Sequence, residues 1–434
     1  MKSKKLAMSK IRIKNFGPIK EGFKGDDGDE WMDIKKVTVF IGNQGSGKST
    51  VAKLISTFTW IEKALTRGDY DNKWFSRKSK LKNQFLNYHR IENYLNKNDN
   101  NKVSEIEYHG EAYNIKFKND ALTITEVKGN KYALPQIMYV PAERNFIAYV
   151  KSPKELKLSS DSLKEFLTEF DNAKDAMKSP MKLPINNVDI EYDKLNDVVN
   201  IKGKDYQGKD YKVWLTESSS GFQSLVPLYL VSEYLSKGVK EKTDSSKGGM
   251  SSEEVERFKR LASEIYSNEN LTEEQRRAAL SVISSKFNKT AFINIVEEPE
   301  QNLFPSSQQQ LLNSLLEFNN MNDGNMLIIT THSPYLINYL TLAVKADMVK
   351  VALKSNDSSK KLNDSLKKIN DIVPLNSTVK ANEIVVYQMD EKEGTILKLP
   401  VYKGLLSDEN FLNDGLEESN ELFAQLQEIE KGWR

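Results

Sequence analysis

Val37-Thr38-Val39-Phe40-Ile41 runs directly into Gly42-Asn43-Gln44-Gly45-Ser46-Gly47-Lys48-Ser49, and Thr50-Val51-Ala52-Lys53-Leu54-Ile55 follows. The first run is β-branched and apolar, as a buried strand is, and the last has helical character. Between them lies the spacing G-x-x-x-x-G-K-[ST], and strand–loop–helix is the context that spacing requires. Glycines let successive backbone N–H groups curl around phosphate oxygens. The helix N-terminus adds partial positive charge at the same point. Lys48 is expected to reach the β- and γ-phosphates of a nucleotide, and Ser49 to ligate Mg2+. Gly42, Asn43, Gln44, Gly45, Ser46, Gly47, Lys48, Ser49 and Thr50 are therefore the candidate nucleotide-binding residues, with ATP and Mg2+ as the expected cofactors.

The chain has 434 residues, a length that suggests about two or three domains. Hydrophobic residues make up 38% and charged residues 29%, enough for a sizeable core under a charged surface. A net charge of +2 gives no global field of the kind that marks a nucleic-acid binder. Cysteine is absent, which excludes disulfides, thiolate zinc sites and a cysteine nucleophile and fits a reducing compartment. Met1 to Met8 lacks the apolar core of a signal peptide. No uncharged apolar run approaches a membrane span. The expectation is a cytoplasmic protein without membrane contact.

Ile11 to Phe16 alternates like an opening strand, and Tyr108 to Val127 holds several alternating runs that suggest a small antiparallel sheet. Ile137-Met138-Tyr139-Val140 reads as a buried strand ending at Pro141. Ser160 to about Met177 is helical, and short strands resume around Val188–Tyr192, Val198–Ile201 and Tyr211–Leu215. A stretch of different character runs from about Lys237 to Lys289. It opens near the flexible Ser245 to Ser252 and continues as two amphipathic helix patterns beginning near Glu253 and Thr272. Ser252 and Thr272 are N-cap candidates, and Thr272 with Gln275 fits a capping box. Phe292–Val296 and Met326–Thr330 read as strong buried strands. The tail ends in a helix from Leu416 to Lys431. Neither an internal repeat nor a long heptad array is present.

Four further motifs follow the glycine loop in order. Pro141-Ala142-Glu143-Arg144 follows a buried strand, where polar residues of an open α/β sheet can approach a ligand. Ser218-Ser219-Ser220-Gly221-Phe222-Gln223-Ser224-Leu225 precedes an apolar helix, and small residues there can form an anion site. Glu297-Glu298-Pro299-Glu300 ends a strand, with Glu297 expected at the metal and Glu298 expected to orient or deprotonate the attacking water. Thr331-His332-Ser333-Pro334 ends the next strand, and His332, one of three histidines, is placed to sense a γ-phosphate. Each alone has an ordinary explanation: a turn, a serine N-cap, exposed acids, a surface histidine.

In this order the motifs resemble the head of an ATP-binding-cassette ATPase, over roughly Ile11 to Asn338. Ser219-Ser220-Gly221-Phe222-Gln223 looks like a diverged signature. Glu297 to Pro305 and Thr331 to Pro334 are similar to the overcoming-lysogenization-defect type, in the same broad group as SMC heads. By overall size, the Pro141–Arg144 element and the absence of an attached effector, the chain looks like ATPase subunits of antiphage systems such as Septu and PARIS. The resemblance implies an α/β ABC-type P-loop head with a helical subdomain and an inserted helical pair. It implies slow ATP hydrolysis with Glu298 and His332 as catalytic residues and Ser49 and Glu297 at the metal. It also implies head-to-head homodimers or higher oligomers in which Ser220 and Gly221 act across the interface, and a separate effector nuclease as partner. Two departures stand out: Glu297 occupies a place usually held by Asp, and Glu143 stands where cassettes carry a loop Gln.

The expected division is 1–150 and 291–434 for the two parts of the ATPase head, 151–236 for the helical signature subdomain and 237–290 for the insert. Lys73, Arg77, Lys78, Lys80, Lys82 and Arg90 interleave with Trp74, Phe75, Phe85 and Tyr88. Such a segment can bind phosphates and stack bases, although a solvated helix with a buried aromatic face is the preferred reading. Nucleic acid therefore stays open as a partner. Two alternatives stay open as well: a recombination-type ATPase acting directly on DNA in repair, and an ATP-bound scaffold with little turnover.

Overall fold

The computed structural model describes residues 9–96, 102–128, 132–150, 157–244, 252–267, 271–272, 275–276, 279, 289–356 and 360–433. At its centre is a seven-stranded sheet. Its strands are Gly22–Phe23 (β1), Val37–Gly42 (β2), Pro135–Val140 (β3), Ala291–Glu297 (β4), Met326–Thr331 (β5), Ile384–Asp390 (β6) and Thr395–Lys398 (β7). The spatial order is β1-β7-β6-β2-β5-β4-β3. From β6 to β3 every neighbouring pair is parallel, and β7 runs antiparallel to β6. The carboxyl ends of β2, β3, β4 and β5 therefore share one edge of the sheet. With the glycine loop joining β2 to the helix Lys48–Arg67 (α1), this is a P-loop NTPase-type α/β fold.

Both faces of the parallel strands are covered, which is why they read as unbroken apolar runs rather than alternating ones. Period-2 geometry still sorts their side chains. Val37, Val39, Ile41, Val140, Phe292, Val296, Leu327 and Ile329 face one core. That core includes residues of the helices Asp161–Ala176 (α2), Ser220–Asp244 (α3), Pro305–Asn320 (α4) and Pro334–Asn356 (α5). Phe40, Tyr139, Ile293, Ile295, Ile328 and Tyr387 face a second core built on α1. Each Val, Ile or Phe buried this way is worth about 1.5–3 kcal/mol against exposure.

The expected small antiparallel sheet is present and larger than the sequence suggests. Its order is Met32–Asp33, Lys10–Lys14, Glu105–His109, Tyr113–Lys118, Ala121–Glu126. Glu62 of α1 pins it, accepting from the Tyr108 hydroxyl at 2.8 Å and from the backbone N–H of Ala112 at 2.7 Å. Burial pushes the Glu62 carboxyl above the ordinary range. A second antiparallel sheet of Met181–Lys182, Asp189–Asp193, Val198–Lys204 and Asp210–Trp214 leads into α3.

Helix α3 continues to Asp244, past the expected boundary at 236/237. Of the insert, the helix Ser252–Tyr266 starts at Ser252 itself, so that residue lies within the first turn. Thr272 and Gln275 make the reciprocal capping-box bonds at 2.9 and 3.2 Å. The Ser-rich segment up to Ser251 and most of the second helix lie outside the described residues. The tail departs most from expectation. It contributes β6 and β7 to the central sheet, β6 pairing directly with β2, before the helix Phe411–Trp433 (α6). The central sheet thus continues past Asn338, where the motif resemblance stops, and stays within the expected head part 291–434.

Candidate functional site

The loop after β2 has the backbone its sequence demands. Gly42, Gly45 and Gly47 hold φ of 144°, 78° and 102°, all values that side chains resist. A Cβ on Gly42 would also sit 2.4 Å from the Met389 carbonyl of the neighbouring β6. Lys48 opens α1 and is buried, its Nζ donating to the carbonyls of Gly42 at 2.9 Å and Asn43 at 2.8 Å. Burial pulls its ammonium down to about 8, against the pull of Glu298, Glu300, Glu391 and Glu297. Asn43 is braced by Glu391 of the tail at 3.1 Å. Ser46 and Thr50 are buried, whereas Asn43, Gln44 and Gly45 face solvent at the mouth of the loop. Ser49 is half-buried in the first turn.

Two strands away, β4 delivers Glu297 and Glu298 to the same edge. Glu297 is buried, with Oε2 accepting from the Ala142 N–H at 3.2 Å. Its Oε1 is buried and accepts no hydrogen bond of normal geometry, the buried phenol of Tyr139 lying alongside. Glu298 turns the chain with φ of 44°, a conformation that costs a non-glycine residue about 1–3 kcal/mol and is held only where its surroundings enforce it. Its N–H donates to Thr330 at 2.9 Å. His332, at the end of β5, brings Nε2 within 3.4 Å of Glu298 Oε1. That contact first, then the fields of Lys48 and Arg144, holds the Glu298 carboxyl below the ordinary range against its half-burial.

Two residues that lie within the quoted motifs but were given no role there organise this edge. Glu300 accepts the His332 N–H at 2.7 Å, fixing the backbone that carries the histidine. Arg144 has no exposed surface. It donates to the carbonyls of Glu297 and Glu298 at 2.7 Å each, of Pro141 at 3.3 Å and of Ser224 in α3 at 3.0 Å. Burial pulls its guanidinium down to about 10, with Glu300, Glu298 and Glu297 opposing. Glu143 beside it is exposed, whereas the arginine side chain is buried within this edge. A charged residue after a buried strand and a proline was the only sequence signal for it.

Ser220 is exposed at the start of α3, and Gly221 lies against the loop after β4, where a Cβ would come 2.9 Å from the Asn302 carbonyl. Asn302 also donates to the Ser224 hydroxyl at 2.9 Å. In this chain Ser220 and Gly221 therefore sit beside the β4 loop, while the glycine loop lies at the end of β2. In the basic segment, Phe75 is buried and Trp74 stacks on Tyr70 at 3.8 Å with Lys80 Nζ 3.8 Å above it. Phe85 packs on Trp60 and Phe75, and the Tyr88 hydroxyl donates to Glu165. The segment folds as a short helix at Asn72–Phe75 and a π turn at Leu81–Leu86, not as the single solvated helix expected.

No family model matches the chain, and no curated protein matches it. Among solved structures, an SMC head domain from Thermotoga maritima is similar at 12% identity and a TM-score of 0.37, covering 91% of this chain and 99% of that one. An Smc head with an extended coiled coil from Pyrococcus furiosus, bound to the C-terminal domain of ScpA, is similar at 11% identity and a TM-score of 0.33, covering 97% and 99%. A dimeric post-hydrolysis ATP-binding cassette, MJ0796, bound to ADP and phosphate, is similar at 11% identity and a TM-score of 0.24, covering 90% and 100%.

Proposed function

We propose that the chain is an ATP-binding and ATP-hydrolysing subunit whose heads close on nucleotide as a dimer. The observation that carries this is convergence. The glycine loop, the Glu297–Glu298 pair, His332 and the Arg144 bracket come from four separate stretches of sequence and meet at one sheet edge. In open α/β sheets, ligands bind at the carboxyl ends of the strands.

The residues present fit Mg2+: a buried carboxylate oxygen of Glu297 without a hydrogen bond is a ready cation ligand, and Ser49 lies at the helix start next to the phosphate cradle. Bound there, the ion would supply positive charge to the phosphates. Lys48 would exchange the Gly42 and Asn43 carbonyls for β- and γ-phosphate oxygens. Glu298, held as a carboxylate by His332, would accept a proton from water as the water oxygen bonds to the γ-phosphorus. The bond to the bridging oxygen then breaks, leaving ADP and phosphate. His332 contacts the Glu298 carboxylate from the end of β5, so release of a γ-phosphate beside Glu298 would be transmitted to its loop.

At the finer level, we read the chain as a sensor or scaffold in antiphage defence that controls a separate effector nuclease. Its support is the motif resemblance, and the insert at 237–290 is the proposed effector surface. Nucleotide titration and phosphate release on wild type and on Glu298→Gln test the ATPase. Binding without turnover in the variant and turnover in the wild type are expected. Equal turnover would remove Glu298 from the chemistry, and no binding in either protein would remove the function. Co-purification with the neighbouring gene product tests the effector.

A further inference from the structure

We infer that Tyr139 is a positioning residue for Glu297, its hydroxyl donating to carboxylate oxygen Oε1 and aiming the lone pair that remains at the cation. Resting on the reading of Glu297 as a metal ligand, this role follows from the two strands that carry the pair. Tyr139 on β3 pairs with Ile295 on β4, and Glu297 stands two residues beyond Ile295. Side chains alternate along a strand. The phenol and the carboxylate therefore project from one face of the sheet, the face of the α1 core that holds Tyr139 and Ile295. There the Tyr139 hydroxyl lies beside Glu297. Both atoms are buried, and neither has any other hydrogen-bond partner among the described residues. A buried donor or acceptor left unpaired is costly, so each answers the other. Near neutral pH a phenol keeps its proton, so the hydroxyl is the donor and the carboxylate the acceptor.

The rest of Glu297 is already fixed. Its carbonyl accepts from Arg144 at 2.7 Å, and Oε2 accepts from the Ala142 N–H at 3.2 Å. Oε1 is the end still to be held. A glutamate has one more rotatable bond than an aspartate, and holding it in one orientation costs rotamer freedom. Tyr139 can supply that restraint because its own ring is clamped. The ring is buried, and the buried His89 packs edge-on against it, with centroids 4.7 Å apart and planes at 62°. A carboxylate oxygen has two lone-pair sites. The hydroxyl takes one on Oε1 and leaves one for a cation. Partners of this kind set the orientation and basicity of a metal ligand.

Tyr139→Phe removes the hydroxyl and keeps the ring against His89. Mn2+ serves as the probe, titrated by electron paramagnetic resonance into full-length protein saturated with a non-hydrolysable ATP analogue. The apparent Kd for Mn2+ should rise about 10–100-fold in Tyr139→Phe. Affinity for the analogue in EDTA should stay unchanged, which a general packing defect would not allow. In a Glu297→Ala background Tyr139→Phe should add nothing, because the hydroxyl acts through that carboxylate. Unchanged Mn2+ affinity in Tyr139→Phe would overturn the positioning role, as would an equal loss in both backgrounds. Glu297→Asp provides a second arm, since it draws the carboxylate back from the hydroxyl and leaves β3 untouched. It should weaken Mn2+ binding, and Tyr139→Phe should weaken it no further. If Tyr139→Phe also loses affinity in EDTA, Glu297→Asp decides, and wild-type Mn2+ affinity there overturns the role. Wild-type protein that takes up no Mn2+ beyond that bound by free analogue would overturn the metal reading itself, and the role of Tyr139 with it.

Discussion

Arg144 donates to the carbonyl of Glu298 at 2.7 Å, and Glu298 is the residue whose backbone is held at φ 44°. The same guanidinium holds the carbonyl of Ser224 at 3.0 Å, on the helix that begins with Ser220. One buried side chain therefore fixes the proposed base and the signature helix together. Lysine can reach one or two of these four carbonyls but not all, since the planar fork is lost. Arg144→Lys should keep nucleotide affinity and lower kcat by about 10²-fold, the scale of a 1 Å misplacement. Arg144→Ala leaves buried carbonyls without donors and should lower stability by about 1–3 kcal/mol for each carbonyl left unpaired, seen in chemical denaturation. Wild-type kcat in Arg144→Lys would reduce the bracket to a packing element.

Lys48 gives a pH signature. Burial favours its neutral amine and brings its pKa to about 8, whereas phosphate binding needs the ammonium. Above that pH, nucleotide affinity should weaken by up to about tenfold per pH unit, with one proton taken up on binding. Calorimetry in buffers of different ionisation enthalpy measures that uptake. Lys48→Arg should flatten the dependence. For folding the sign is opposite: between about 8 and the ordinary lysine value of 10.5 the unfolded chain holds more protons. The Lys48 contribution to stability therefore rises with pH in that window.

Local chemistry made the centre of this fold legible. The β2–loop–α1 unit, the strands β3, β4 and β5, and the helix from Ser160 each carry their own signal in consecutive residues, down to the Ser160 hydroxyl accepting from Leu163 at 3.3 Å. What escaped was non-local. β6 is Ile384-Val385-Val386-Tyr387-Gln388-Met389-Asp390, and its pairing with β2 is set by contacts more than 300 residues apart in sequence. Only the fold reveals why Gly42 admits no side chain, because the obstructing carbonyl belongs to Met389. Likewise Arg144 in sequence is one basic residue after a strand. Its role depends on carbonyls supplied by β4 and α3.

His332 should set the acid side of the pH–rate profile. Its contact is the largest influence holding the Glu298 carboxyl below the ordinary range. Removing it in His332→Ala leaves half-burial to act, and Glu298 then protonates at higher pH. The acidic limb of kcat should move upward in pH, with nucleotide binding preserved. Glu298→Gln should lower kcat by about 10²–10⁴-fold, the range of general base catalysis. Stopped-flow phosphate release across pH 4.5–8 measures both variants; an unmoved limb in His332→Ala would detach the histidine from the base.

Ser220 tests the closure of one head on another. It is exposed at the first turn of α3, so its side chain can be enlarged without disturbing this chain's core. Gly221 beside it is packed against Asn302 and is unsuitable for the same purpose. Ser220→Arg should leave nucleotide binding to a single head intact and abolish hydrolysis, because the added side chain would obstruct the nucleotide of the opposite head. Lys48→Ala has the complementary defect, an intact signature with a disabled glycine loop. In a mixed dimer, the Ser220→Arg head keeps its nucleotide site and meets an unaltered signature, giving one competent site of two. With random pairing half the dimers are mixed, so roughly a quarter of wild-type turnover should return from two inactive proteins. Phosphate release from the equimolar mixture measures this directly. Wild-type hydrolysis by Ser220→Arg alone would show that each head completes its site without a second one.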